Sequence, residues 1–256
     1  SELACKKNFG SSVNSLACKS ILDIFKTIND ENSFGVVPLE NSTEGAVNLT
    51  LDALQTTELK ICGELEMPIK HSLLASQVNL EKIKNVYGHQ QSLAQCKNKL
   101  SNLLPRIKIT PVESSGLALK KAQQGTGNAC IAHESFASEH NLKVCKKNME
   151  DEKNNSTRFI ILGKNMPLKS GLDKTSIIIS LENKPGALSR VLKIFELSKV
   201  NLSYIQSRPS KKDKWSYSFF LDFEGHSESI KIKNLLKKLE NNSISLKLLG
   251  SYPKAI

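Results

Sequence analysis

What most constrains this chain is one local pattern, an apolar run, then a polar turn, then a helix, repeated between residues 34 and 139. It first appears as FGVVPLENSTEG, where Phe34 to Leu39 reads as a buried strand and the following helix aligns Val47, Leu51 and Leu54. It recurs at IKNVYGHQQSLAQCKNKL, at RIKITPV followed by ESSGLALKKAQQ, and at NACIAH followed by ESFASEH. Strands alternating with helices predict an α/β domain built on a parallel, doubly wound sheet. A helix over residues 20 to 29 precedes it, with Ile21, Ile24, Phe25 and Ile28 on one face.

The pattern changes after the polar stretch GKNMPLKSGLDK, a linker by its Gly, Pro and lack of periodicity. TSIIISL is a strand, and NKPGALSRVLKIFELS is a helix with Leu188, Val191, Leu192 and Phe195 on one face. NLSYIQSRP is extended, and WSYSFFLDFEG alternates Trp215, Tyr217, Phe219, Leu221 and Phe223 against mostly polar neighbours. SESIKIKNLLKKLE is a second helix, and Ile244, Leu246 and Leu248 alternate in a last strand. The order βαββαβ is a ferredoxin-like unit. A sheet that small leaves one face open, so pairing with a second copy is expected.

The 256 residues suffice for two domains, and 39% hydrophobic content supports packed cores. No apolar stretch approaches the roughly 18 residues of a membrane span, and no apolar leader follows a basic start. The first residue is Ser1, inside a helix-like stretch, so upstream residues are expected to have been lost. The six cysteines include no C-x-x-C pair, which points to reduced thiols in a cytoplasmic protein rather than zinc or disulfides. The net charge of +11 comes from scattered lysines with only 5% aromatics, a pattern that lacks a nucleic-acid footprint but would attract an acidic metabolite.

Three polar clusters follow or flank the apolar runs. Asn41, Ser42 and Thr43 in ENSTEG stand before a helix, where backbone N–H groups and the dipole suit a carboxylate; ordinary capping needs only one of them. GHQQSLAQC carries His89, which alone is more often a surface or capping residue, and Gln95, an amide ordinarily solvated on a helix. NNSTRFIIL places Ser156, Thr157 and Arg158 before an apolar run that reads as a strand from Phe159 to Leu162. Three such corners in one domain favour a two-lobed anion cleft holding a small diacid. The five histidines show no metal-ligand spacing, and neither a G-x-G-x-x-G nor a P-loop is present, so no metal and no cofactor is expected.

GVVPLENSTEGAVNLTLDAL, HQQSLAQC, NACIAHESFA and NNSTRFIIL, followed by NKPGALSRVL and LSYIQSRPS, resemble prephenate dehydratase with a C-terminal ACT regulatory domain, in order and over nearly the whole chain. The resemblance implies a type II periplasmic-binding-protein-like catalytic domain over residues 1–163, its second lobe about 69–145, a linker at 164–174 and a ferredoxin-like ACT domain at 175–256. It implies conversion of prephenate to phenylpyruvate, with loss of water and carbon dioxide, in phenylalanine synthesis. Thr157 takes the catalytic threonine position. Asn41, Ser42, Thr43, Gly88, His89, Gln95, Arg158 and Phe159 take substrate-binding ones, Arg158 as a partner for a carboxylate. Gly186, Ala187, Leu188 and Ser189, with Gln206, Ser207 and Arg208, match motifs that hold phenylalanine, a feedback inhibitor, at an ACT dimer interface; a homodimer or homotetramer follows.

Three departures stand out. The family's N-terminal strand and G-x-x-G-T-(Y/F)-S signature are absent, Ser1-Glu2 resembling that signature's tail. Gly88 stands where many relatives carry Ser, and Gln206 where they carry Glu. An arogenate dehydratase and a non-catalytic amino-acid sensor of the same architecture are the alternatives. A chorismate mutase fused upstream would also fit.

Overall fold

The computed structural model describes residues 1–10, 12–209 and 217–255. Trp215 lies outside them. The chain divides into two compact units, Ser1–Met67 with Ser156–Ile256, and Pro68–Asn155. In chain order the first carries α1 (Glu2–Phe9), α2 (Ile21–Thr27), β1 (Gly35–Asn41), β2 (Gly45–Ala46), α3 (Asn48–Thr56) and β3 (Lys60–Pro68). The second follows with β4 (Ser72–Ala75), β5 (Asn85–His89), α4 (Gln90–Ala94), α5 (Lys97–Leu103), β6 (Lys108–Val112), α6 (Ser115–Gln123), β7 (Asn128–Ala132), α7 (Phe136–Glu139) and β8 (Lys143–Lys146). The chain returns to the first unit in β9 (Ser156–Gly163), β10 (Asp173–Leu181), α8 (Ala187–Leu197), β11 (Leu202–Pro209), β12 (Tyr217–Glu224), α9 (Ile230–Glu240) and β13 (Ser245–Pro253).

In the second unit the sheet runs β6-β5-β7-β4-β8, with β5 parallel to β6 and β7 but β4 antiparallel to β7 and β8. The sheet is therefore mixed rather than all-parallel. Only the three strands joined through helices keep the direction that alternation predicts. In the first unit the order is β2-β1-β9-β3, and β1 is antiparallel to both β2 and β9. One neighbour of β1 is thus the next strand, β2, and the other, β9, arrives more than a hundred residues later.

The last third is the expected βαββαβ unit, sheet order β11-β12-β10-β13. One face packs under α8 and α9, where Ile177, Ile179, Val191, Phe195, Leu221, Phe223, Ile232 and Leu235 form a core. The other face is not open, which removes the physical reason given for pairing with a second copy. Ile178, Phe220, Leu249 and Tyr252 join Val37, Leu39, Leu51, Leu54, Ile61 and Ile160 in one shared core. Each such side chain contributes about 1.5–3 kcal/mol when buried, so the βαββαβ sheet is fastened to the first sheet rather than tethered. Gly250 shows how close the fastening is, since a Cβ there would lie 2.1 Å from the Ile61 carbonyl oxygen. Ile21, Ile24 and Phe25 of α2 pack against the same core, as their spacing predicts. No helix among the described residues is long and apolar enough to cross a membrane.

Candidate active site

The structure moves the ENSTEG turn off the helix. β1 continues to Asn41, and the chain reverses at Gly45, φ 83°, into β2. α3 begins only at Asn48, with Val47 at its N-cap and no side-chain cap. Asn41 Oδ1 accepts from the amides of Thr43 at 3.0 Å and Glu44 at 3.1 Å. Asn and Ser serve turns as readily as caps, and here the turn claims them. The carboxylate site anticipated at a helix start therefore has no helix end beneath it.

NNSTRFIIL is likewise not a turn before a strand. Ser156, Thr157 and Arg158 are the first residues of β9 itself. Asn41 and Thr157 are cross-strand partners in the register of β1 with β9. Asn41 Nδ2 donates to Thr157 Oγ1 at 2.9 Å and to the Ser156 carbonyl at 3.1 Å. The amide's orientation follows from its other end, since two backbone N–H groups require the oxygen there. Thr157 Oγ1 thus spends a lone pair on Asn41, and its own proton is directed elsewhere. Ser42 and Ser156 lock the corner: the Ser156 amide donates to Ser42 Oγ at 2.9 Å, and Ser156 Oγ donates to Glu66 at 2.5 Å. Asn41 and Thr157 are buried, whereas Ser42 and Thr43 are exposed.

Side chains alternate along a strand, so Thr157 and Arg158 face opposite ways. Phe159, on the Thr157 side, is buried against Val36, Leu65 and Ile161 as a core residue. Arg158 points to the βαββαβ sheet. Its Nη2 lies 2.6 Å from Glu64 Oε2, its Nη1 2.6 Å from Asp222 Oδ2, and Nη2 donates to the Tyr252 hydroxyl at 3.1 Å. Lys174 Nζ donates to Glu64 at 2.6 and 2.8 Å. Burial alone would lower the Arg158 pKa, but Asp222, Tyr252 and Glu64 outweigh it and raise it. Burial would raise the Glu64 carboxyl, yet Arg158 and Lys174 hold it below its ordinary value. The guanidinium is thus committed to protein carboxylates. The resemblance instead gave it a substrate carboxylate as its partner.

In the second unit, β5 ends at His89, which is the N-cap of α4 without a side-chain cap bond. Gly88 is buried, and a Cβ there would lie 2.9 Å from the Leu93 side chain, which would have to shift to admit a larger residue. Gln95 closes α4 and does not sit inside a continuous helix. Its side-chain amide and Nε2 of His71 share a hydrogen bond at 2.9 Å. His71 is buried, and burial pushes its pKa below the usual value, keeping the ring neutral. Sequence reasoning missed His71, which no motif or spacing marks.

The effector motifs also divide. Gly186 adopts φ 77° at the N-cap of α8, and Ser189 and Ser207 are exposed. Ala187 and Leu188 are half-buried against the helix-side core. Gln206 donates to the Ser207 carbonyl at 3.2 Å. Arg208 forms a two-pronged pair with Asp52 of α3, its Nη2 2.7 and 2.9 Å from the carboxylate oxygens, and reaches Asn48 at 2.9 Å.

A family model described as Prephenate dehydratase matches residues 1–167, and one described as ACT domain matches 175–241. The chain is 42% identical over 257 residues to the bifunctional chorismate mutase/prephenate dehydratase of Pseudomonas aeruginosa, covering 100% of this chain and 70% of that protein. It is 43% identical over 242 residues to the prephenate dehydratase of Methanocaldococcus jannaschii, covering 92% of this chain and 86% of the other. The crystal structure of prephenate dehydratase in complex with L-Phe from Arthrobacter aurescens superposes with a TM-score of 0.87 at 30% identity, covering 98% of this chain and 86% of that one.

Proposed function

The chain belongs to the prephenate dehydratase family, and on that premise we propose that Thr157 and Asn41 form the centre at which prephenate loses its hydroxyl. In the reaction the bond from ring to carboxylate breaks and its electron pair enters the ring. The C–O bond opposite it breaks, and the departing hydroxide takes a proton to leave as water. Carbon dioxide and phenylpyruvate remain. The group the reaction needs is a donor aimed at the departing oxygen. The observation that carries the assignment is the 2.9 Å bond from Asn41 Nδ2 to Thr157 Oγ1, which turns the threonine proton away from Asn41. A threonine hydroxyl is too weak an acid to act freely, so it works as a fixed donor that is reprotonated from solvent. Its worth lies in being held before the charge develops.

Within this reading Arg158 is not a substrate ligand, because its charge is already matched by Glu64 and Asp222. Gly88, His89 and Gln95 keep the substrate roles that the resemblance gives them. Phenylalanine acts as the inhibitor at the Gly186–Ser189 loop and the Gln206–Ser207 strand. A homodimer through this region accords with the exposed Leu192, Leu197 and Ile205 and with the edge position of β11.

The test is turnover. Full-length protein at neutral pH is given prephenate, and in parallel arogenate, with and without phenylalanine. Phenylpyruvate from prephenate, suppressed by phenylalanine, is the expected result. Phenylalanine formed from arogenate alone would make the chain an arogenate dehydratase, and no product from either would leave it a binding protein.

A further inference from the structure

The geometry points to Arg158 as a positioning residue, the clamp through which the ACT sheet holds Thr157 in register with Asn41. This rests on the assignment of Thr157 made above. Four charges from both sheets of the first unit meet around it. Glu64 belongs to β3 and Arg158 to β9, whereas Lys174 belongs to β10 and Asp222 to β12. All are inside, the side chains of Arg158, Lys174, Glu64 and Asp222 being 16%, 10%, 2% and 0% exposed.

Two cations and two carboxylates meet here, with Glu40, the cross-strand partner of Arg158, also facing them, and Glu64 and Asp222 are each held from both sides of the boundary between the sheets. Glu64 accepts from Arg158 Nε at 2.7 Å, from Lys174, and from the Ala255 amide at 3.1 Å. Asp222 takes Arg158 on one oxygen and Ser176 Oγ at 2.5 Å on the other. The Tyr252 hydroxyl joins Ser176 at 2.6 Å and Arg158 at 3.1 Å. The Tyr204 ring of β11 lies 5.8 Å from the guanidinium carbon. Strands β11, β12 and β13 of the ACT sheet thus reach this one side chain directly, and β10 holds its partners through Lys174 and Ser176.

That side chain stands one residue from Thr157 on a strand whose other face carries the hydroxyl. A shift of the ACT sheet moves Asp222 and Tyr252, hence Arg158, hence the backbone of β9. The bond from Asn41 to Thr157 depends on that backbone, because Asn41 also holds the Ser156 carbonyl. An arginine suits the task because its planar fork binds two carboxylates at fixed angles, which a lysine cannot do.

The test uses full-length Asp222→Asn, which removes the charge and keeps the shape. Hydrogen exchange of the β9 amides should quicken at least tenfold, and kcat for prephenate should fall about tenfold with KM within twofold. Phenylalanine should still raise the melting temperature but no longer change kcat. Where Asp222→Asn does not fold, Ser176→Ala removes only the hydroxyl that links Asp222 to Tyr252 and should move the same readouts in the same direction. Unchanged β9 exchange in the folded variant overturns the proposal, as does a raised KM at constant kcat. The exchange measurement needs no turnover, so a failure of the dehydratase assignment and a failure of the clamp give separate signatures.

Discussion

Replacing Asn41 with Asp isolates the orientation of Thr157 better than deleting either residue. In the native corner Asn41 donates to Thr157 Oγ1 at 2.9 Å while its Oδ1 accepts from Thr43 and Glu44. Asn41→Asp keeps the acceptor for both turn amides, so β1 and its turn persist. It converts the donor facing Thr157 into a carboxylate oxygen, and the threonine proton swings round to meet it. A hydrogen bond to a charged acceptor is worth about 1.5–3 kcal/mol. That bond must break before Thr157 can donate to the departing hydroxyl, which lowers kcat about 10- to 150-fold at about 1.4 kcal/mol per decade. The lost bond to the Ser156 carbonyl, now facing another oxygen, costs a further 1–3 kcal/mol of stability or thereabouts. KM should stay within about threefold, because Asn41 acts on Thr157 and not on substrate. Steady-state formation of phenylpyruvate, beside a melting curve, reads both effects. A folded Asn41→Asp enzyme with kcat within threefold of wild type refutes the reasoning, and so does a large rise in KM with kcat intact.

Other outcomes follow from the same contacts. Gly250→Ala sets a methyl 2.1 Å from the Ile61 carbonyl oxygen, a backbone group that cannot step aside; thermal melting should show a loss of about 3 kcal/mol, and an unchanged melt would mean that the sheets do not pack here. Gly186→Val forces a β-branched residue into φ 77°, at about 1–2 kcal/mol, and should abolish the phenylalanine-dependent rise in melting temperature while leaving turnover without phenylalanine unchanged. Because the Glu64 carboxyl is held below its ordinary value, the stability it contributes is complete above the unfolded carboxyl range, about pH 4.3, and is lost as pH falls through its lower native value. Acid titration followed by melting should show Glu64→Gln to be less pH-sensitive than wild type over that window, by the share that Glu64 adds to that of Glu150 and Asp173, which are also held low; equal slopes would remove Glu64 as a contributor.

The sequence disclosed the βαββαβ unit and the run of strands and helices because both are local periodicities. The errors lie where local chemistry serves two structures. Asn41, Ser42 and Thr43 are good caps and good turn residues, and only the return of β9, more than a hundred positions away, decides between them. Starting the strand at Phe159 instead of Ser156 placed Thr157 and Arg158 in one polar corner; a strand three residues longer sends them to opposite faces. The closed face of the ACT sheet did leave a trace. TSIIISL is apolar at consecutive positions, the mark of a strand buried on both sides, and Ile178 is the residue that meets the first sheet. The clamp around Arg158 left none, since its carboxylates and lysine come from three other strands whose pairing no spacing encodes.

The claim on which the account turns is that Thr157 delivers a hydrogen bond to the departing hydroxyl, and Thr157→Val probes it with the least change of shape. Replacement by Val should lower kcat about 10²–10⁴-fold while prephenate still binds with nearly native affinity. A folded Thr157→Val enzyme that forms phenylpyruvate at the wild-type rate would contradict it.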